Sequence, residues 1–319
     1  MTSSPAEPPV AYAPEPTAPP VRPGSTTDPR AATRITESRI SYHRGETEGS
    51  ARIIEVLPVS PGRWAVVTDR TPFHPIDTVW PDQPADHGTL TVDTEVLPVV
   101  DTQILTAERD TGQIRVGPEV TARRGDDGHV FAVAHLVEQD PSRWRGRTAT
   151  LAVDVARRRS LSAAHTGCHL VAYAFNEATE ELWSKEAPRD SRGSRNFDAA
   201  ALIDSRHHLG GSVDRYRLGR SLRRKGFDHA RLLAELDDYV ERANEILAKW
   251  VASAAPVTVA GADLFTAQRT WRCETTPVAT MPCGGTHVSH LGELATITIG
   301  TDYVEDEKEL RLLAASVLR

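Results

Sequence analysis

Two short motifs place histidine and cysteine side chains at a spacing that suits a metal ion. In HTGCH, His165 and His169 are four residues apart, and in MPCGGTHV the same interval separates Cys283 from His287. On a helix, residues four apart leave the same face about one turn from each other, so the first two imidazoles can share one ion. Three imidazoles and one thiolate form a ligand set typical of zinc. The sequence therefore predicts a Zn²⁺ site built from both motifs.

The second motif is more specific than the first. Helical histidines are often ordinary surface or core residues, so HTGCH alone is weak evidence. In the second motif Gly284 and Gly285 let the backbone turn tightly and approach an ion or a substrate. Thr166 follows His165 where the metalloprotease motif needs a glutamate as general base, so peptidase activity is not expected.

Other residues near the motifs could replace a ligand or support one. His290 follows the second motif, and Arg206, His207 and His208 form a cluster. The favoured interpretation of these residues is polar surface. Cys168 lies within a turn of both helical histidines, and it is interpreted as a small packed side chain.

The elements that must position the motifs change character along the chain. From residue 35 to 155, short β-type runs alternate with Pro, Gly and Asp, which predicts a mostly β domain, a small barrel. Residues 160–178 carry apolar side chains at three- and four-residue steps, which predicts the helix that holds the first motif. A longer apolar stripe predicts a second helix from about residue 228 to 250.

The C-terminal part is predicted to contain a loop at 277–285, a strand at 293–299 and a final helix at 305–318. Residues 156–319 therefore form an α+β domain. The predicted fold class is α+β, with an N-terminal small β-barrel domain over 35–155 and this second domain after it. The prediction places the two motifs on different elements of the second domain.

The N-terminal residues 1–34 hold nine of the 22 prolines of the chain. Their other residues are largely Ala, Ser, Thr and Glu, which cannot bury enough apolar surface to offset the entropy of ordering. This composition predicts a disordered tail.

The overall charge limits how the chain could bind nucleic acid. The formal net charge is −7, which is the wrong sign for a surface that binds nucleic acid throughout. Phosphate contact must therefore come from local basic runs, such as those that contain Arg158 and Arg224. The sequence shows no run of about 18 apolar residues and no secretory signal, and its three cysteines fit a reducing compartment. These features predict a cytoplasmic protein that does not enter a membrane.

At the two motifs the sequence resembles the AlaX family of trans-editing proteins and the editing domain of alanyl-tRNA synthetase. These proteins share a His-x-x-x-His helix and a Cys-Gly-Gly-Thr-His loop, and the resemblance extends to TPFHPIDTVWPDQPADHGTL at residues 71–90 and to ARRRSLSAAHTGCHL. The resemblance implies a freestanding hydrolase that cleaves the ester of a mischarged aminoacyl-tRNA, with zinc in the cleft between the two domains. It assigns the metal to the four motif residues and catalytic pocket positions to Thr286 and Gln83. Arg158 and Arg224 would then contact tRNA phosphates.

One segment departs from the family pattern. Where the family has consecutive glycines before Gln, this chain has Thr78, Val79, Trp80, Pro81 and Asp82. Bulk and a carboxylate replace bare backbone, so Trp80 and Asp82 are predicted to bind substrate. The rejected amino acid is then expected to differ from serine or glycine on alanine tRNA, and a non-canonical one such as fluorothreonine on an Ala- or Thr-type tRNA fits. The alternative is that Trp80 packs against the barrel.

Two other functions remain compatible with the sequence. One is a non-catalytic zinc module that binds RNA, and the other is a transferase of secondary metabolism that passes the acyl group of an aminoacyl-tRNA to an amine. The mechanism is also open, because four protein ligands close a tetrahedral site that catalytic zinc usually keeps partly free. Either one ligand is displaced, or the metal anchors the amino group while a tRNA hydroxyl helps to activate water. The sequence leaves the oligomeric state open.

Overall fold

The computed structural model describes residues 26–27, 29–78 and 81–319. Trp80, a predicted substrate-binding residue, lies outside the described residues, as does most of the predicted disordered tail. The described part divides into a first half of strands and a second half that mixes helices and strands.

The end of the predicted tail has defined structure. Thr26–Thr27 (β1) pairs with a strand of the first sheet, and Pro29–Arg34 (α1) is a helix. Ala31 and the following Ile35 are 1% and 3% exposed and pack into a core of the first half. Residues 29–34, predicted as part of the disordered tail, therefore form a packed helix, because these apolar side chains have a sheet face to cover.

The first half is built almost entirely from antiparallel strands. They are β2 (Arg39–Ile40), β3 (Glu48–Ser60), β4 (Arg63–Thr68), β5 (Arg70–Thr71), β6 (Gly88–Val92), β7 (Glu95–Val99), β8 (Asp101–Glu108), β9 (Gln113–Val116), β10 (His129–Val137) and β11 (Thr148–Val153). Nine of them, counting β1, form one sheet in the order β1-β9-β8-β10-β4-β3-β11-β6-β7. The short strands β2 and β5 pair in parallel beside it.

The long strand β3 joins two parts of this sheet. Its first residues pair with β11 and its later residues pair with β4, with a shift in register between Ile53 and Glu55. Such an irregularity bends a strand, and each part of the sheet covers its own apolar cluster. Among the described strands β1 and β7 end the order and do not pair with each other. The predicted closed barrel therefore stays a prediction, whereas the predicted α+β class is confirmed.

The second half contains most of the helical residues. Its elements are α2 (Val155–Ala178), α3 (Phe197–Ala201), β12 (Leu202–His208), β13 (Gly211–Arg217), α4 (Arg220–Arg224), α5 (His229–Ala234), α6 (Leu236–Ala252), β14 (Val257–Gly261), β15 (Arg269–Cys273), β16 (Ala279–Pro282), β17 (Leu294–Val304) and β18 (Glu309–Leu318). The predicted helix at 160–178 is confirmed within α2. It begins earlier because the Asp154 carboxylate caps it by accepting the backbone N–H of Arg157.

A four-stranded antiparallel sheet packs against α2 in the order β12-β13-β18-β17. The final helix predicted at 305–318 is wrong, because β18 occupies this segment. Alternate side chains of β18, those of Leu310, Leu312 and Ala314, are buried, and this two-residue period is that of a strand. The predicted strand at 293–299 is confirmed and continues to Val304.

Two further predictions change in detail. The helix predicted from 228 to 250 is divided into α5 and α6, with Glu235 between them. The loop predicted at 277–285 contains the strand β16, which completes a three-stranded sheet with β14 and β15. This sheet carries the second motif at the end of β16.

Apolar contacts join the two halves. Phe265 of the second half is 0% exposed and packs with Ile40 and Tyr42 of the first half. Within the described ranges, no helix combines the length and apolar character that crossing a membrane requires.

Candidate metal centre and adjoining cavity

The structure brings the two motifs together. One donor atom from each of His165, His169, Cys283 and His287 lies within 4.8 Å of the others. The sulfur of Cys283 is 3.5 Å from Nε2 of His165 and 3.4 Å from Nε2 of His287. Nε2 of His169 is buried without a hydrogen-bond partner among the described residues. An unpaired buried nitrogen of this kind is what a bound metal ion would satisfy.

The geometry fits a tetrahedral zinc ion. Zinc binds thiolate sulfur at about 2.3 Å and imidazole nitrogen at about 2.0–2.1 Å, which places the two ligand atoms about 3.6 Å apart. The Cys283 sulfur lies 3.4–3.5 Å from the two nitrogens near it, close to that value. These residues therefore fit Zn²⁺ without large rearrangement.

Two elements hold the four donors. The helix α2 presents His165 and His169 one turn apart, and the loop after β16 presents Cys283 and His287. The backbone N–H of Cys283 donates to the carbonyl of Arg269 on β15, which fixes the start of the loop. At Gly285 a Cβ atom would lie only 2.4 Å from the ring of His165, so this close approach requires glycine.

Hydrogen bonds fix which ring nitrogen of two histidines is free to bind a metal. Nδ1 of His165 is 2.7 Å from the side-chain carbonyl oxygen of Gln83, which can only accept, so Nδ1 carries the proton. The Thr166 hydroxyl donates to the carbonyl of Ser162 and therefore accepts from Nδ1 of His287 at 3.1 Å. In both rings Nε2 keeps its lone pair. This tautomer is the one that binds a metal through Nε2.

Gln83 and Thr286, the predicted catalytic residues, lie behind the metal site. Nε2 of Gln83 donates to the Thr286 hydroxyl at 2.9 Å, and the Ser162 hydroxyl donates to the same oxygen at 2.9 Å. Gln83 and Thr286 are 1% and 2% exposed, and neither borders the cavity described below. In this structure both residues orient His165.

Burial keeps the ligand histidines neutral. Burial lowers the pKa of His169 to about 3, and burial together with the neighbouring histidines holds the pKa of His165 and His287 well below its usual value. Burial raises the pKa of the Cys283 thiol to about 12. Neutral imidazoles are ready to bind a cation, whereas the thiol loses its proton when a metal supplies positive charge.

A cavity of about 320 Å³ opens beside the metal centre, between the two halves of the chain. From the first half it is lined by Tyr42, His74, Pro75, Asp77, Asp82 and Arg124. Asp82, a predicted substrate-binding residue, lies 4.0 Å from Nε2 of His165. Burial raises the pKa of the Asp82 carboxyl to about 6. The predicted pocket residue Asp82 therefore does border both the cavity and the metal site.

The opposite wall of the cavity is polar and comes from α2, β12 and β13. It includes Cys168, Ser205, His207 and Asp214, which are all buried. Ser205 and Asp214 belong to no motif in the sequence, and strand pairing between β12 and β13 alone brings them together. His207 was interpreted as polar surface, but it is 5% exposed and its ring lies 4.4 Å from that of His165. Cys168 is a buried small side chain, as interpreted from the sequence.

Arg158 occupies a different place from the one predicted. Its guanidinium is buried in an ion pair with Asp86 and also donates to the carbonyls of Glu46 and Pro72. Its nitrogens are therefore all engaged within the protein, and Arg158 holds the two halves together where a phosphate contact was predicted. Arg224 is exposed on α4 and does not border the cavity.

Comparison with known proteins gives distant relatives. No protein-family profile matches the sequence. The alanine–tRNA ligase of Haloquadratum walsbyi is 23% identical over 274 residues, which are 84% of this chain and 24% of that protein. The alanine–tRNA ligase of Halobacterium salinarum is 27% identical over 260 residues, which are 80% of this chain and 23% of that protein. The chain thus spans about a quarter of the length of these relatives and is distantly similar to them over most of its own length.

Proposed function

We propose that this chain is a metal-dependent aminoacyl-tRNA deacylase that hydrolyses the ester between a wrongly attached amino acid and tRNA. The observation that carries the proposal is the convergence of three imidazoles and one thiol beside a cavity of about 320 Å³, with His165, His169 and Cys283 on its wall. A cavity of this size suits a small ligand such as an aminoacyl group. The distant similarity to two alanine–tRNA ligases supports tRNA as the carrier of that group.

The proposed activity would correct errors that arise because binding alone discriminates poorly between similar amino acids. A binding pocket distinguishes side chains that differ by one methylene by only about 1–3 kcal/mol, so errors in charging need a second site that removes them. Asp82 belongs to the segment that departs from the glycines of the AlaX family, and its side chain borders the cavity. We infer that the amino acid removed is an unusual one, for which fluorothreonine is a fitting candidate.

Different residues would have different roles in hydrolysis. His165, His169, Cys283 and His287 would hold zinc, which when bound polarises an ester carbonyl or makes hydroxide available near neutral pH. The Asp82 carboxylate faces the same space and can accept a hydrogen bond from the attacking water. Water adds to the carbonyl carbon, the ester C–O bond breaks, and a proton passes to the ribose oxygen. The products are a free amino acid and uncharged tRNA.

The position of the four residues beside the cavity favours catalysis over a purely structural metal. His169, Cys283 and His287 are only partly buried, and His165, His169 and Cys283 border the cavity. Structural zinc sites are closed, whereas catalytic sites keep a side accessible to water or substrate. Here four protein ligands would leave such a side toward the cavity once one of them is displaced.

The test is to incubate the protein with tRNA charged with alanine, serine, glycine, threonine or fluorothreonine, with and without a chelator. We expect release of free amino acid from at least one substrate, and loss of this release with the chelator. Binding of tRNA without any cleavage would instead identify a non-catalytic RNA-binding module. An amide product formed in the presence of an amine would identify a transferase.

Removal of one ligand should abolish metal binding and hydrolysis together. For His169→Ala and Cys283→Ala we expect the rate of hydrolysis to fall by at least about 10–100-fold. That range applies to loss of a residue that only hydrogen-bonds to a metal ligand, and loss of the ligand itself should cost at least as much. His290→Ala is the matched control, because His290 is exposed and lies outside the metal-ligand group. Metal content by mass spectrometry and initial rates are measured on the same samples. Full activity of either ligand variant without bound metal would refute the mechanism.

A further inference from the structure

A buried carboxylate without a cation lies in the polar wall of the cavity. Asp214 is 2% exposed, and its oxygens accept hydrogen bonds from the Ser205 hydroxyl, from the Cys168 thiol at 3.4 Å and from the Ser212 hydroxyl at 3.3 Å. Within the described part of the chain, no nitrogen of a Lys, Arg or His side chain forms an ion pair with it. A buried carboxylate is costly unless a positive charge compensates it. The protein thus leaves the charge of Asp214 to be balanced by something else.

His207 offers an unpaired acceptor beside this carboxylate. Because the Ser205 hydroxyl gives its proton to Asp214, its oxygen accepts from Nε2–H of His207, 3.5 Å away. Nδ1 of His207 then carries a lone pair. That nitrogen is buried and has no hydrogen-bond partner among the described residues, although His207 borders the cavity. A donor is therefore missing at this position.

The charges around the cavity favour a positively charged ligand. The charged side chains that border it are Asp77, Asp82, Asp198, Asp214 and Arg124. Arg124 forms an ion pair with Asp77 at 2.7 Å, so the charge of Arg124 is already neutralised. Burial, together with the nearby carboxylate of Asp198, raises the pKa of the Asp214 carboxyl to about 7. A cation bound here would relieve both effects.

We propose that Asp214 and His207 form the subsite that binds the free α-ammonium group of the aminoacyl ester. An ammonium group supplies both missing partners, since it carries a positive charge and donates several hydrogen bonds. A side-chain hydroxyl would donate only one hydrogen bond and would leave the carboxylate uncompensated. The His207 ring lies 4.4 Å from that of His165, so an ammonium held there stands next to the ester at the metal centre. This inference rests on the proposed deacylase function.

The experiment compares an aminoacyl-tRNA that the protein hydrolyses with its N-acetyl derivative, which has the same ester but no positive charge. We expect kcat/KM for the free amine to exceed that for the acetylated substrate by about 10- to 100-fold, as for loss of a charge-assisted hydrogen bond. Asp214→Asn should bring this ratio close to one while metal content stays unchanged. Asp302→Asn is the matched control and should keep the ratio, because Asp302 is exposed on β17, pairs with Arg311 and does not border the cavity.

The outcomes separate this inference from the proposed function. Equal rates for the two substrates with the wild-type protein would overturn the subsite, and so would an unchanged ratio in a metal-loaded Asp214→Asn variant. A changed preference between alanine and serine at a constant ratio would assign Asp214 to the amino-acid side chain and also overturn it. Should Asp214→Asn lose its metal, Ser205→Ala decides, and it is expected to lower the ratio in the same direction. No hydrolysis of either substrate would refute the deacylase itself.

Discussion

At the scale of single residues, one amide side chain determines which nitrogen of His165 faces the candidate metal site. The oxygen of Gln83 accepts a hydrogen bond from Nδ1–H of His165, and its nitrogen donates one to the Thr286 hydroxyl. The bond to His165 fixes the tautomer of its ring, and the bond to Thr286 fixes the orientation of the Gln83 amide. A ligand held in this way loses less entropy when it binds a metal.

Loss of this amide should weaken metal binding. For Gln83→Ala we expect zinc affinity to fall by about 10–100-fold, because His165 loses its orienting acceptor. Gln83→Glu is the matched control, since its carboxylate still accepts from Nδ1 and should retain most of the affinity. Competition with a chromogenic chelator measures both values. Wild-type affinity in Gln83→Ala would show that packing alone orients the ring.

The convergence of the four candidate ligands could be predicted from the sequence, whereas the wall of the cavity could not. His165 and His169 are four residues apart, a spacing that brings two side chains together on one face of a helix. The glycines after Cys283 indicate that the backbone there comes close to another group. Ser205 and Asp214 are nine residues apart on two strands and share no local pattern. Only the register between β12 and β13 makes them neighbours, and register depends on the whole sheet.

At the scale of elements, the loop after β16 depends on the absence of one side chain. Gly285 packs against the His165 ring, where an added Cβ would lie 2.4–2.6 Å from ring atoms and 2.9 Å from the Gln83 oxygen. At Gly284 the nearest atom to an added Cβ is the end of the flexible Arg269 side chain, at 3.4 Å. Two adjacent glycines thus have different tolerance for a methyl group.

This difference gives a paired test. Gly285→Ala should displace the loop or His165 and remove most of the bound metal and activity, whereas Gly284→Ala should retain both. Both changes restrict the backbone similarly, so the comparison isolates the contact with His165. Metal content and hydrolysis rates are the measurements. Equal effects of the two substitutions would indicate that loop flexibility matters more than the close contact.

The start of α2 is anchored by a buried ion pair. Breaking such a pair from one side leaves an unpaired buried charge and usually costs about 3–5 kcal/mol. We expect Arg158→Ala to lower the free energy of unfolding by about this amount, because Asp86 is 0% exposed. Arg159→Ala is the matched control, since Arg159 is exposed on the same helix turn. Denaturant titration measures both, and equal stability would refute the anchoring role.

Periodicity predicted α2 but failed at β18. The segment ELRLLAASVL is rich in Leu and Ala, which favour a helix, and its apolar residues fit either period. Pairing with β17 and β13 overrides this local preference. Such pairing links residues far apart in the chain, which local patterns do not reveal.

At the scale of the whole molecule, a net charge of −7 requires local basic surface for any contact with tRNA. The exposed residues Arg223 and Arg224 on α4 offer one such surface. If they contact phosphates, each releases counterions when tRNA binds, and affinity falls steeply with salt.

We expect the double variant Arg223→Gln and Arg224→Gln to weaken tRNA binding and to reduce the slope of log affinity against log salt by about 0.7–0.9 per residue. Arg143→Gln serves as the matched control, because Arg143 is 65% exposed in the first half and pairs with Glu95. Binding is measured by fluorescence anisotropy over a range of salt concentrations. The same slope in wild type and double variant would exclude α4 from the interface.

The hydrogen bond between His165 and Gln83 crosses between the halves of the chain, so we expect binding of a metal at His165 and association of the halves to depend on each other. Such linkage is reciprocal: metal binding strengthens the association of the halves by the same free energy by which that association strengthens metal binding. Chelation should therefore expose the seam between the halves to proteases. Conversely, a change that loosens the seam at Phe265 should release zinc without altering any ligand.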